Sequence, residues 1–161
     1  SVPVFEEDGF QYRPEAIREK IGELMGIPVT QSIPKIAFIA VARDFRTSTG
    51  ETILKGSVSL LARLMAMGKM HKAFAITAGI PAAIAAVTPD SVVNRVVSAD
   101  SPVSAGDPIV IGHPSGRMDV RVDARFGNEG PLIVSCTVGR TARRIMDGRV
   151  YVSERIYGSR K

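Results

Sequence analysis

The chain has 161 residues, of which 45% are hydrophobic and 23% are charged, a balance typical of one globular domain and not of a disordered segment. Its 21 basic and 16 acidic residues give a net charge of +5. The basic residues are dispersed, however, and no aromatic platform interleaves them as in nucleic-acid-binding surfaces. We therefore expect an anionic small molecule as the partner, and no nucleic acid.

Cysteine usage and hydropathy indicate the compartment. Cys136 is the only cysteine, which excludes an intrachain disulfide and a multi-cysteine zinc site and favours a reducing environment. The most apolar stretch, residues 73–87, is broken by Gly79 and Pro81 and is too short to span a bilayer. No secretory leader is recognisable, so we expect a cytoplasmic protein without membrane contact.

The first half of the chain predicts two helices and two strands. Residues 1–9 are typical of an extended segment, and Pro14 opens a helix that ends before Gly26. Its apolar residues fall on one face, namely Ile17, Ile21, Leu24 and Met25. Residues 35–42 (KIAFIAVA) predict a buried strand. Ser57 is placed to cap a second helix that ends near Met67 and Gly68, and residues 71–76 predict a further strand.

The second half predicts one buried helix followed by strands. Proline is tolerated in the first turn of a helix, so Pro81 places the helix at residues 80–87, with its N-terminus at Thr77, Ala78 and Gly79. This helix is apolar all round and should be buried. Strands are predicted at residues 92–97, 108–111, 118–124, 132–138 and 149–152, with a loop at 98–106 and a hairpin turn at 127–130. The expected fold is a single α+β domain, with a mixed or antiparallel sheet wrapped around a central helix.

The sharpest motif is Gly112-His113-Pro114-Ser115-Gly116, which lies between two predicted strands and must turn tightly. The His113 imidazole and the Ser115 hydroxyl can both donate to a carboxylate. An ordinary β-turn with an exposed serine is the alternative interpretation.

Two further features could hold an anion. Lys69 follows a predicted helix and could present its ammonium group to a ligand, although a lysine there also complements the helix dipole. The helix start at Thr77, Ala78 and Gly79 offers free N–H groups, although Thr77 could equally be a plain N-cap.

Several other chemistries find no support in the sequence. His71 and His113 are the only histidines, and spacing nominates no third ligand, so we expect no metal. Ser115 lacks a G-x-S-x-G context, no dinucleotide fingerprint is present, and Cys136 fits a small core residue. We expect no cofactor.

Five stretches together resemble the PrpF family of 2-methylaconitate isomerases and related tautomerases of unsaturated polycarboxylates. They are residues 34–40 (PKIAFIA), 67–73 (MGKMHKA), 77–86 (TAGIPAAIAA), 112–116 (GHPSG) and 139–152 (GRTARRIMDGRVYV). The resemblance covers about residues 34–152, preceded by the segment and helix of residues 1–33. GHPSG at this distance after MGK-x-H is specific, whereas no single stretch would be.

The resemblance implies a diaminopimelate-epimerase-like fold, in which two similar domains each wrap a sheet around a central helix. The active site of that fold lies between the two helix N-termini. It also implies cofactor-independent proton transfer next to a carboxylate or keto group. By position, Lys69 and Ser115 match residues that contact the substrate, and Thr77, Ala78 and Gly79 match the helix start. We hypothesise that Lys69 pairs with one substrate carboxylate and that Ser115 and the Gly116 N–H hold another. His113 is counted among the substrate-binding residues, with bracing of the turn as its alternative role.

The chain also departs from the family pattern. Family members are at least about twice as long, and their first domain carries a glycine- and asparagine-rich helix start and a lysine base, neither of which is found here. We therefore expect residues 1–161 to be a C-terminal-type domain whose partner domain comes from the same protein or a second chain, with a homodimer as another arrangement. Pro81 stands where the family more usually has a small or β-branched residue. A non-catalytic domain that binds anionic metabolites or dimerises is the rival hypothesis.

Overall fold

A six-stranded mixed sheet organises the structure, a computed structural model that describes residues 12–66, 69–98, 102–127, 130–153 and 155. The strands are β1 (Ile36–Val41), β4 (Leu60–Ala66), β5 (Lys69–Met70), β6 (Pro108–His113), β7 (Gly116–Gly127) and β8 (Gly130–Val138). Their order is β1-β4-β6-β7-β8, with β5 paired to β4. The β4–β6 pair is parallel and the other pairs are antiparallel. A separate antiparallel pair consists of β2 (Phe45–Arg46) and β3 (Thr52–Ile53).

Three α-helices with described bounds accompany the sheet in the described part of the chain: α1 (Tyr12–Leu24), α2 (Ile76–Val87) and α3 (Val92–Ser98). The α2 sequence, ITAGIPAAIAAV, consists largely of small residues, which lets its backbone lie close to the strands. Its inward side packs with alternate residues of the central strands into the main core, which includes Leu60, Leu64, Ala83, Ala86, Ile109, Ile111, Val120 and Val122. The predicted α+β fold with a helix held in a curved mixed sheet is confirmed, although Thr77 and Pro81 on the opposite side of α2 are exposed.

The other face of the sheet carries a smaller core. The β2–β3 hairpin covers Leu61 and packs against it with Ala42, Phe45, Ile53 and Val58. Strand alternation explains the division, because Leu60, Ala62 and Leu64 point towards α2, whereas Leu61 and Arg63 point away from it.

Helix α1 is attached to the domain by a buried arginine. The Arg18 side chain is 6% exposed and donates to the carbonyl oxygens of Thr30, Ile33 and Pro34 while it is paired with Glu15. The predicted helix end at Gly26 is confirmed: this residue has φ of +64°, and the Ile27 amide bonds back to the Gly22 carbonyl. The apolar face predicted on this helix is exposed, with Leu24 and Met25 77% and 62% accessible.

The helix predicted from Ser57 to Met67 is wrong, because this segment contains β4. Leucines at positions 60, 61 and 64 fit a helical stripe, but both faces of β4 are covered, so the strand lacks the polar alternation that would identify it. Ser57 instead ends a short 3₁₀ turn, Lys55–Ser57, and its hydroxyl donates to the Leu54 carbonyl.

The strand predicted at residues 92–97 is also wrong, because VVNRVVS forms α3. Its β-branched residues favoured a strand, but the Ser91 hydroxyl accepts a hydrogen bond from the Asn94 amide and starts a helix. The Asn94 side chain then donates to the Ala86 carbonyl at 2.7 Å, which fixes α3 to the end of α2.

Other boundaries shift. Helix α2 starts at Ile76, so Pro81 lies in its second turn and the strand predicted at 71–76 is a loop leading into the helix. The last predicted strand, at 149–152, is absent: the described residues from 139 to 153 have no regular secondary structure. The hairpin is confirmed by the Gly127–Gly130 pairing. Residues 1–9, Met67, Gly68, Asn128, Glu129 and the loop positions 99–101 lie outside the described residues.

Within the described part of the chain, no single helix has the length and hydropathy needed to cross a membrane. Helices α2 and α3 meet those two criteria only as a pair, which is bent by 69° at its break.

Candidate anion-binding site

The sheet topology gathers the predicted site elements at one end. Strand β1 begins where β4 ends, since Ile36 is the register partner of Met65. Strand β6 runs parallel to β4, so His113, its last residue, also lies towards that end. Strand β5 pairs with the last residues of β4, Met65 and Ala66. The start of β1, Lys69 in β5 and the GHPSG turn are therefore neighbours in the fold, although they lie far apart in the sequence.

The GHPSG motif forms the two-residue turn between β6 and β7, in which His113 and Gly116 are register partners. Gly116 has φ of +132°, a conformation that favours glycine. Its N–H is in the position that, in a tight turn, normally donates to the carbonyl oxygen of the first turn residue, here His113. The His113 side chain is only 7% exposed, and its Nδ1 accepts a hydrogen bond from the Ser115 amide at 3.2 Å. His113 thus braces the turn, and its buried ring faces the protein interior.

The turn is tied to two other loops. The Ser115 hydroxyl donates to the Lys72 carbonyl, which connects the turn to the segment leading into α2. The Ser48 amide donates to the Pro114 carbonyl at 2.7 Å, which brings the 47–50 turn of the β2–β3 hairpin alongside. No local pattern predicts the contacts of Ser48 or Lys72, because both depend on long-range packing.

The first glycine of the motif serves packing, not the turn itself. A Cβ atom on Gly112 would lie 2.7 Å from Leu61 Cδ2 and 2.9 Å from Phe45 Cε1. The absence of a side chain therefore lets the β2–β3 hairpin approach the sheet directly beside the motif.

The start of α2 differs from its prediction. Ala75 is the N-cap residue, so Thr77 is not a plain cap. The amides of Ala78 and Gly79 already donate to the Ala75 carbonyl, at 2.8 and 2.9 Å. Helix geometry leaves open the N–H groups of the two preceding residues, Ile76 and Thr77, which are the first two of the helix. These two amides, and not those of Ala78 and Gly79, are therefore the candidates for binding an anion, while Ala78 and Gly79 are buried.

A lysine that sequence reasoning did not nominate lies at this helix start. Lys35 Nζ donates to Thr77 Oγ1 at 2.9 Å across 42 positions of sequence, and both side chains are exposed. In the sequence it was only the first residue of the predicted strand 35–42 and part of the stretch 34–40 that resembles the family. The pair stands at one end of a groove of about 480 Å³ between α2 and β1, whose apolar lining includes Ala37, Ile39, Leu64, Pro81, Ala82 and Ala85.

The site end of the domain is positively charged. Lys35, Lys69 and Lys72 are all exposed there, together with His71. Three ammonium groups and a helix N-terminus can hold an anion that carries more than one carboxylate. His, Cys, Asp and Glu form no metal-binding cluster among the residues that the structure describes. Cys136 lies in β8 against the main core.

Burial lowers the pKa of His113 below its ordinary value, a hydrogen bond with the Arg117 backbone partly opposes this effect, and the positive charge of Arg63 adds to it. A neutral imidazole can accept the Ser115 amide through Nδ1, whereas a protonated one cannot. Neutral His113 is therefore the form that keeps the turn in place.

Comparisons with known proteins identify the family. The family profile described as PrpF protein matches residues 10–153. A 2-methyl-aconitate isomerase of Shewanella oneidensis is 34% identical over 76% of the chain and 30% of its own length. A 3-methylitaconate isomerase of Eubacterium barkeri is 35% identical over 87% of the chain and 37% of its own length. A (4E)-oxalomesaconate Delta-isomerase of Novosphingobium is 31% identical over 86% of the chain and 34% of its own length.

The fold comparison gives the same result. The crystal structure of a methylitaconate-delta-isomerase superposes with a TM-score of 0.72 at 32% identity, over 92% of this chain and 39% of that one. The chain thus spans about a third of the length of the relatives that it matches. Because the family profile covers nearly all of the described residues, the chain belongs to the PrpF family.

Proposed function

We propose that the protein carrying this chain is an isomerase that shifts a proton within an unsaturated di- or tricarboxylate, and that this domain holds the substrate carboxylates. The observation that supports the proposal is that Lys35, which is bonded to Thr77 at the start of α2, lies towards the same end of the sheet as Lys69 and the GHPSG turn. The names of the relatives, isomerases of 2-methylaconitate, 3-methylitaconate and oxalomesaconate, supply the reaction class.

The chemistry places clear demands on such a site. A base removes a proton from the carbon next to the double bond, and the electron pair delocalises towards a conjugated carboxylate. The proton returns at the other end of the allylic system, so that the composition is unchanged. Cationic groups and N–H donors stabilise the charge that develops on the carboxylate, and this requires no cofactor.

The residues can be given roles in this scheme. Lys35 and Lys69 pair with carboxylates, and the Ile76 and Thr77 amides bind the charge that develops during the reaction. Ser115 keeps lone pairs that can accept a hydrogen bond, while its hydroxyl hydrogen holds the Lys72 carbonyl and orders the loop. We assign the base to a partner domain, in the same protein or in a second chain, so that this domain is the C-terminal half of the active site.

The function is tested by deuterium incorporation from D₂O into 2-methylaconitate, 3-methylitaconate and oxalomesaconate, first with the full-length protein and then with the 161-residue chain. Exchange by the full-length protein supports the isomerase. Saturable binding without exchange by either form would instead establish the rival function, a domain that binds anionic metabolites. If the full-length protein neither binds nor exchanges any of these acids, the proposal is wrong.

The roles of the lysines are tested by Lys69→Met and Lys35→Met in the full-length protein. Each loss of a charged hydrogen bond should lower kcat/KM by about 10- to 100-fold. Lys20→Met is the matched control, because Lys20 is an exposed lysine on α1 paired with Glu23. A variant whose kcat/KM equals that of the control removes its lysine from the site.

A further inference from the structure

A second cavity lies on the face of the sheet that points away from α2. It has a volume of about 340 Å³ and is lined by Ala37, Phe38, Ile39, Ala40, Arg43, Leu61 and Arg63. Phe38 and Arg63 are cross-strand partners in β1 and β4. The neighbours of Arg63 in β4, Ala62 and Leu64, belong to the core under α2, so Arg63 faces the other way. The two arginines therefore lie on the side of the sheet away from the groove beside α2, and the cavity adjoins that groove only at β1, where Ala37 and Ile39 line both.

Two guanidinium groups line this cavity without a carboxylate partner among the described residues. Arg43 Nε is buried and has no hydrogen-bond partner in the described part of the chain. Arg63 donates one hydrogen bond to the Ala62 carbonyl, and its guanidinium carbon lies 5.8 Å above the centre of the Phe45 ring. Burial and the nearby charge of Arg43 lower the pKa of Arg63. The unpaired Arg43 Nε–H and the repulsion between the two guanidinium groups both lower the stability of the fold, and a bound anion would offset these effects.

The geometry points to a binding site for a small organic carboxylate with a flat apolar body, held by Arg43 and Arg63. Guanidinium groups bind planar anions through paired N–H donors, which suits a carboxylate or a phosphate equally. The apolar walls decide between them, because Phe38 and the alanines, which are partly exposed, would stay in contact with water if only inorganic phosphate were bound.

This site does not depend on the proposed reaction. It lies across the sheet from Lys35 and Thr77, and neither arginine contributes to the groove beside α2. A carboxylate bound here would change the charge next to His113, which is close enough to Arg63 for its pKa to respond. A carboxylate held between the two arginines is therefore placed to influence the GHPSG turn through His113, as a modulator and not as a substrate.

The test uses the full-length protein with ¹⁵N-labelled arginine, and benzoate as the probe. We expect saturable movement of the Arg43 Nε–H resonance, with Arg63→Met weakening the affinity at least tenfold. Arg63→Lys, which keeps the charge but loses the planar fork, should weaken it less. Arg95→Met is the matched control, since Arg95 is exposed on α3, which packs on the other face of the sheet. The affinity of this variant for benzoate should equal that of the wild type.

Three results would overturn the site. The first is the lack of a saturable shift with benzoate, and the second is an affinity that neither Arg63 substitution changes. The third is an equal shift with inorganic phosphate at matched ionic strength, which would reassign the cavity to simple anions. Because proton exchange is not measured, failure here leaves the proposed isomerase untouched, and failure of the isomerase leaves this site untouched.

Discussion

His113 is a buried imidazole that is hydrogen-bonded to the Ser115 amide in the turn and to the Arg117 backbone in β7. Its pKa is lowered from 6.5, mainly by burial, so the unfolded chain takes up a proton at a higher pH than the folded one. The stability that His113 contributes is fully present above pH 6.5 and is lost as the pH falls through the window below it. The groups that face the ring are the Ser115 amide, the Arg117 backbone and the charge of Arg63.

We predict that His113→Gln flattens this dependence. In the wild type, the free energy of unfolding should fall below pH 6.5 with a slope of up to about 1.4 kcal/mol per pH unit, the value for one proton. The glutamine carbonyl can still accept the Ser115 amide but does not titrate in this range. Urea unfolding at a series of pH values measures the slope, and an identical slope in both proteins would show that His113 is not its source.

Arg63→Met should raise the His113 pKa, measured by NMR titration.

Individual site residues differ in how far sequence could find them. Ser115 and His113 lie in a motif whose turn is dictated locally by Pro114 and Gly116, so their proximity was predictable. Lys35 reaches Thr77 only because β1 and α2 are packed side by side, a relation that no local pattern contains. That the site residues bind a substrate stays a prediction until the lysine variants are measured.

Helix α2, which the sheet surrounds, contains a proline in its second turn, where proline lowers the stability of a helix. Pro81 has no N–H to donate to the Thr77 carbonyl, and a proline inside a helix costs about 3 kcal/mol relative to alanine. Its side chain is exposed, so replacement leaves no cavity in the core.

We predict that Pro81→Ala raises the free energy of unfolding by about 1–2 kcal/mol, since the greater freedom of the unfolded chain offsets part of the gain. Pro89→Ala, in the exposed turn after α2, is the control and should lower stability by about 0.4–1 kcal/mol through the unfolded state alone. Urea unfolding gives both values. Equal effects of the two substitutions would mean that Pro81 does not strain the helix.

At the scale of elements, sequence succeeded where local chemistry and tertiary packing agree. The turn glycines and the alternating residues of β7 identified that strand, because only one of its faces is buried. The same reasoning failed for β4, which is covered on both sides, and for α3, where the Ser91 cap outweighs β-branched propensity. Both errors concern residues whose neighbours come from distant parts of the chain.

The whole molecule leaves much apolar surface uncovered. The described segment 139–153 is irregular, and Ile145, Met146, Val150 and Tyr151 are 80–93% exposed. Apolar residues at the end of α1, directly after it and in β8 are exposed as well, including Leu24, Met25, Leu132 and Val134. An isolated domain rarely shows so many large apolar side chains without a partner surface. Since the chain matches only 30–37% of the length of its relatives, a partner domain is the occupant that we propose.

The 161-residue chain alone should therefore self-associate. Sedimentation velocity over a concentration series should give a mass that rises above the 17.2 kDa of the monomer. Ile145→Glu combined with Val150→Glu should shift the mass back towards that of the monomer, because each charge would have to be buried in the contact. Thr141→Glu combined with Ser153→Glu adds the same charge to the same exposed segment without removing apolar surface, and should change the association far less. A chain that stays monomeric throughout, or two double variants with equal effects, would show that this segment does not drive association.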